Sequence, residues 1–98
     1  MKINIESTDF RNYASLESYA NQRLIKSLGK FPFVTAAHVY FKDKQGERNE
    51  KQAKIQLHVK NDVLFANALG NRFDAALDNA INKLKRQIQK YKTKKFRK

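Results

Sequence analysis

Residues 53–92 read AKIQLHVKNDVLFANALGNRFDAALDNAINKLKRQIQKYK, and the change of period within this stretch decides the fold. In its first part Ala53, Ile55, Leu57 and Val59 alternate with Lys54, Gln56, His58 and Lys60. A period of two puts the apolar set on one face of a strand and the polar set on the other. Asn61-Asp62 then reads as a tight turn, and the apolar run over residues 63–66 as a further strand. From Asn71, a fitting N-cap, the apolar residues fall at Phe73, Ala76, Leu77, Ala80, Ile81, Leu84, Ile88 and Tyr91. That series keeps a 3.6-residue period for about five turns, so a helix begins near Asn71 and ends at Tyr91 or Lys92.

Toward the N-terminus the two periods recur. Ala37, Val39 and Phe41 alternate with His38, Tyr40 and Lys42, which predicts a strand over residues 34–42. The charged segment 43–50, which contains Gly46, reads as a loop. Leu16, Ala20, Leu24 and Leu28 give a helix over residues 14–29; Gly29 suits a left-handed cap, and Pro32 cannot continue the helix. Ile3 and Ile5 mark a short first strand, followed by a polar connection over residues 7–12. The order is β-α-β-β-β-α. The expected fold is α+β: a single domain with one four-stranded sheet and both helices packed on its apolar face. That domain spans residues 1–92, with residues 93–98 as a frayed basic tail.

At 98 residues the chain suits one domain and has no cysteine, so neither a disulfide framework nor a thiolate zinc site is available. No apolar run approaches the roughly 20 residues that span a bilayer. Met1-Lys2-Ile3-Asn4-Ile5-Glu6 lacks the apolar core of a signal peptide. The expected location is the cytoplasm. The formal net charge is +12, from 21 Lys and Arg against 9 Asp and Glu. Such an excess is a statement about partners, and it points to polyanions. The charge is uneven: residues 83–98 hold nine basic residues and no acid, while residues 1–82 carry the other 12 and all 9 acids.

A helix turns about 100° per residue, which sorts these charges into stripes. Lys83, Arg86, Lys90 and Lys94 share an arc beside the apolar one on the last helix, with Asp74, Asp78 and Lys85 on the other flank. On the first helix Arg23, Lys26 and Lys30 form a stripe with Tyr19. Two one-sided stripes can present a joint positive surface, the electrostatic footprint of nucleic-acid binding. A solvated face is the ordinary explanation of lysines so spaced. The lack of acids within the stripes, and the tail that extends one of them, favour the binding reading. Arg23 and Arg86 stand out because a guanidinium can hold a phosphate with two hydrogen bonds. The open sheet face, with His38, Tyr40, Lys42, Lys54, His58 and Lys60, reads as a wet surface; the short motif of RNA-binding sheets is absent.

No catalytic pattern emerges. There is no Gly-rich phosphate loop. His38 and His58, the only histidines, leave a metal short of ligands. Asp74 and Asp78 sit in the first turns of the last helix, where negative charge offsets the N-terminal dipole. Neither an enzyme, a cofactor nor a metal is expected.

One family pattern runs through these segments. Asp74-Ala75-Ala76-Leu77-Asp78, then Ile81-Asn82-Lys83-Leu84-Lys85-Arg86-Gln87-Ile88 and Lys90-Tyr91-Lys92, resembles the hallmark helix of the ribosome hibernation-promoting factors, which include the ribosome-associated inhibitor A proteins. Arg23-Leu24-Ile25-Lys26 followed by Lys30-Phe31 is similar to the family's first helix; Asn4-Ile5 with Ser7, and Val63-Leu64 with Ala66, also fit. The resemblance implies binding to the small ribosomal subunit near the decoding centre, in the channel of messenger and transfer RNA, and inhibition of translation. It carries rRNA contact onto Arg23, Lys26, Lys30, Lys83, Arg86 and Lys90, the residues the helical geometry selects. Relative to the short family pattern, one extra residue stands near Ser27 to Gly29. The extra C-terminal domain through which long members pair ribosomes is not expected in a chain that ends at Lys98.

The expected partners are the small ribosomal subunit and its rRNA, with no small-molecule substrate and no membrane, the free protein being monomeric. A general structured-RNA or DNA binder without ribosome preference has the same charge logic, and a preference for free duplex would mark it. An RNA-processing enzyme would need the acid–base or metal constellation that is missing. A membrane-surface helix would need the apolar arc that the sheet requires.

Overall fold

The computed structural model describes residues 1–7, 13–44 and 50–96 and, within them, every side chain but those of Tyr13, Lys44, Lys94, Lys95 and Phe96. Ala53, Ile55, Leu57 and Val59 are all buried, and the strand that carries them, β3 (Glu50–Val59), lies inside the sheet. The elements follow the predicted order: β1 (Lys2–Ser7), α1 (Tyr13–Leu28), β2 (Val34–Lys44), β3, β4 (Asp62–Gly70) and α2 (Phe73–Phe96). The four strands are arranged β1-β2-β3-β4. β1 is parallel to β2, with Ile3 opposite Ala37 and Ile5 opposite Val39; the other pairings are antiparallel. A parallel pair needs a long crossover, and α1 lies within it. α1 packs beside β1 and against α2, which covers β3 and β4.

Phe41, Leu24, Leu28, Ile55, Leu57, Leu77, Ile81, Leu84 and Ile88 are the large side chains sealed between the sheet and the two helices. Residues picked from two periods meet in one core, because both helices turn their apolar arcs to the same face.

Four boundaries differ from expectation, each for a local reason. The segment read as a loop over 43–50 begins and ends as strand, with Asp43 opposite Lys51 and Lys44 opposite Glu50. Lys51 Nζ lies 2.7 Å from Asp43 Oδ2, so opposite charges across the ladder replace the apolar alternation that ordinarily reveals a strand. The connections over 8–12 and 45–49 lie outside the described residues. β4 continues through Gly70 by alternating buried Ala66 and Ala68 with outward Phe65, Asn67 and Leu69. The turn is Lys60–Asn61, one residue earlier than read, and Asn61 adopts φ 67°, which asparagine tolerates. α2 runs past Lys92 to Phe96, through part of the segment expected to fray. Gly29 closes α1 without a positive φ. What demands glycine there is space, since a Cβ would stand 2.5 Å from the Ile25 carbonyl oxygen.

Candidate nucleic-acid interface

Polar residues four apart along α2 meet residues two apart along β4. Asn79 Nδ2 donates to the Leu69 carbonyl at 3.1 Å, Lys83 Nζ to Asn67 at 2.7 Å, and Gln87 Nε2 to Phe65. Four helical residues rise about 6 Å and two strand residues about 6.6 Å, so the two ladders stay in step. This flank of α2 therefore lies over the outer edge of β4. Lys83, Arg86 and Lys90 are exposed along it, and Arg86 and Lys90 have no acidic partner among the described residues. Beside them a concavity of about 290 Å³ is lined by Ala68, Leu69, Asn79, Asn82, Lys83 and Arg86.

The α1 stripe borders the opposite flank of α2. Arg23 Nε donates to Asp78 Oδ1 at 3.0 Å, and the Tyr19 hydroxyl lies 3.0 and 3.1 Å from the two oxygens of the same carboxylate. Burial raises the Tyr19 phenol above its ordinary pKa, and the hydrogen bond to Asp78 and that carboxylate's charge push the same way. The phenol thus stays a donor. Asp78 serves chiefly as the acceptor that ties α1 to α2, rather than as the dipole partner expected. Asp74, whose Oδ1 accepts from the Ala75 N–H, keeps the first-turn position.

Toward the C-terminal ends of both helices Lys26 and Lys30 are exposed, and Lys30 Nζ and Lys92 Nζ stand 5.4 and 5.5 Å from the Phe31 ring centroid. The selected cations thus fall into two groups. Arg23, Lys26 and Lys30 make up the α1 row, in which Arg23 meets α2 at Asp78 and Lys30 shares the Phe31 ring with Lys92, while Lys83, Arg86 and Lys90 lie on the β4 side of α2. The joint surface expected from the sequence is two rows with α2 between them. The side chain of Lys94 lies outside the described residues. Lys92, which joins Lys30 on the Phe31 ring, is not among the cations the sequence singles out. Its signal was present, because Asp78, Lys85 and Lys92 are seven apart and share one side of the helix.

The sheet's open face carries His38, Tyr40 and Lys54 as read, with Tyr40 opposite Lys54. His38 pairs with Gln56 and His58 with Ala36, so the two histidines are offset rather than opposed. His38 Nε2 lies 3.7 Å from Glu6 Oε1. Among the described residues no group of three or more His, Cys, Asp or Glu could hold a metal, and no helix is long and apolar enough to cross a membrane.

The family model described as Sigma 54 modulation protein / S30EA ribosomal protein matches residues 3–95. The chain belongs to this family. S30EA proteins are ribosome-associated and non-enzymatic. The fold is shared with a ribosomal subunit interface protein from Coxiella burnetii, at TM-score 0.81 and 17% identity over 95% of this chain and 99% of that one. It is also shared with the N-terminal domain of Protein Y from Thermus thermophilus, at TM-score 0.79 and 16% identity over 93% and 99%. No curated protein sequence matches the chain. On this fold the chain carries both basic rows on its helical layer, away from the open sheet face.

Proposed function

We propose that this S30EA protein binds the small ribosomal subunit through rRNA in the channel used by messenger and transfer RNA, and inhibits translation by occupying it. The observation that carries this reading is the pair of basic rows on the helical layer: Arg23, Lys26 and Lys30 on α1, and Lys83, Arg86 and Lys90 on α2. Lys94 extends the second row in sequence, and residues 93–98 add further basic charge. The Coxiella relative is called a ribosomal subunit interface protein, which agrees with such a place. The protein acts in the cytoplasm, is monomeric when free, and serves hibernation under stress.

Mechanism follows from electrostatics and shape. Lysines and arginines displace counterions from phosphates, which gives affinity with a steep salt dependence. If about six phosphates are engaged, at about 0.7–0.9 each, the log–log salt slope is roughly −4 to −5. Fit of the helical layer to one RNA cavity gives selectivity. Arg23 enters with its Nε fixed on Asp78, so its terminal N–H groups face a phosphate from a set position.

The test is co-sedimentation with separated small and large subunits across a salt series. Saturable one-to-one binding to the small subunit supports the proposal, together with strong weakening in a folded Arg86→Glu/Lys90→Glu variant. Equal, unsaturable binding to both subunits leaves a general structured-RNA binder. Full binding by the folded double variant removes the α2 row from the site.

A further inference from the structure

The concavity between β4 and α2 is built differently from a plain cationic patch. Asn79, Asn82, Lys83 and Arg86 follow the i, i+3, i+4, i+7 spacing of one helix face, and Ala68 and Leu69 complete the lining. Its volume of about 290 Å³ lies just below the range of sites that enclose drug-sized ligands, roughly 300–1,000 Å³. No carboxylate lines it.

Part of the rim is already fixed. Asn79 and Lys83 are tethered to the carbonyls of Leu69 and Asn67. Tethering through Nδ2 leaves the Asn79 amide oxygen as an acceptor, and the Lys83 ammonium keeps two of its three N–H donors. Asn82 and Arg86 have no hydrogen-bond partner among the described residues. Side chains already held in place lose less entropy when a ligand arrives.

An anion alone needs only the two cations. Two carboxamides add both donors and acceptors, the chemistry that reads a base edge. Proteins read RNA mainly where bases are unstacked and splayed out. We infer that this concavity seats one unstacked nucleotide of an RNA strand, its phosphate against Lys83 and Arg86 and its base edge on Asn79 and Asn82. The inference rests on the reading of the α2 row as an RNA contact, and it gives that row a means of selecting among bases that the cations lack.

Two measurements test it on the full chain. The first is titration of ¹⁵N-labelled protein with the four nucleoside monophosphates, inorganic phosphate and a mixed-sequence single-stranded RNA hexamer. The side-chain amides of Asn79 and Asn82 are the reporters. The hexamer and at least one mononucleotide are expected to shift both amides saturably, at concentrations at least about fivefold below those phosphate requires. A phosphate response equal to the best nucleotide response, or a still Asn82 amide with the hexamer, overturns the inference.

The second measurement is co-sedimentation of Asn82→Ala with the small subunit. Asn82 is exposed and unpartnered, and alanine favours the helix, so folding is preserved. Affinity should fall about fivefold while the salt slope stays unchanged, because no charge is removed. Unaltered affinity overturns the seat. If the wild type fails to bind the small subunit, the ribosomal proposal falls by itself, and the hexamer titration still decides the nucleotide site.

Discussion

Asp78 is the residue on which the two helices agree. Its carboxylate accepts from Tyr19 and Arg23 across sequence separations of 59 and 55 residues. Arg23 and Asp78 are about a third exposed, so solvent screens the pair and the charged hydrogen bonds are worth the low end of their range. Asp78→Ala should therefore destabilise the protein by about 1–2 kcal/mol in urea denaturation. Unchanged stability would show that the tie between the helices is ornamental.

Tyr19 adds a pH signature. Its phenol is raised above the usual value of 10.0, so protons bind it more tightly in the folded than in the unfolded chain. Its contribution is complete below pH 10 and is lost as pH rises through the folded pKa. Lysines titrate in the same range, so the readout is a difference: stability should fall less steeply between about pH 9.5 and 11 in Tyr19→Phe than in the wild type. Equal slopes would refute it. Tyr19 and Arg23 were legible as neighbours on one stripe, since helical spacing alone sets that. Their bond to Asp78 was not, because it depends on how two helices meet over a sheet.

At the scale of elements, α2 both closes the core and guards an edge. A sheet edge exposes carbonyls that invite another strand, and natural proteins cover such edges. Here Asn79, Lys83 and Gln87 cap three carbonyls of β4, so the same flank that carries the cations also seals the sheet. Asn79→Ala/Gln87→Ala removes two of the three caps. Each bond is worth about 0.5–1.5 kcal/mol, so the double variant should lose about 1–2 kcal/mol in denaturation. It should also self-associate in sedimentation velocity, since Phe65, 63% exposed, lies on the freed strand. A fully stable monomer would show that the caps do not protect the edge. The periods of two and 3.6 announced α2 and β3 plainly. β4 reads four residues short at its end because Asn67, Ala68 and Gly70 are polar or small and leave Leu69 isolated among them. Only the overlying helix, which makes Ala66 and Ala68 core positions, reveals why the strand continues.

For the whole molecule, the decisive fact is that the two cationic rows stand on either side of a helix roughly 10–12 Å across. One flat duplex face cannot easily touch both, whereas a cavity that wraps the helical layer can. The rows are far enough apart that their contributions should add. Each phosphate contact contributes about 0.9 to the log–log salt slope. Lys26→Gln/Lys30→Gln and Arg86→Gln/Lys90→Gln should each flatten the slope of small-subunit binding by about 2, and the quadruple variant by about 4. All three should stay folded, because the four side chains are exposed and only Lys30 touches a residue packed on the core, the Phe31 ring. If only the α2 pair changes the slope, RNA meets one flank and the α1 row is a solvated face. If the quadruple variant loses no more than either pair, the rows compete for the same phosphates, and α2 cannot be buried in a surrounding cavity. Additive flattening requires RNA on both sides of α2 at once, a geometry that a channel in folded RNA provides and an isolated duplex does not.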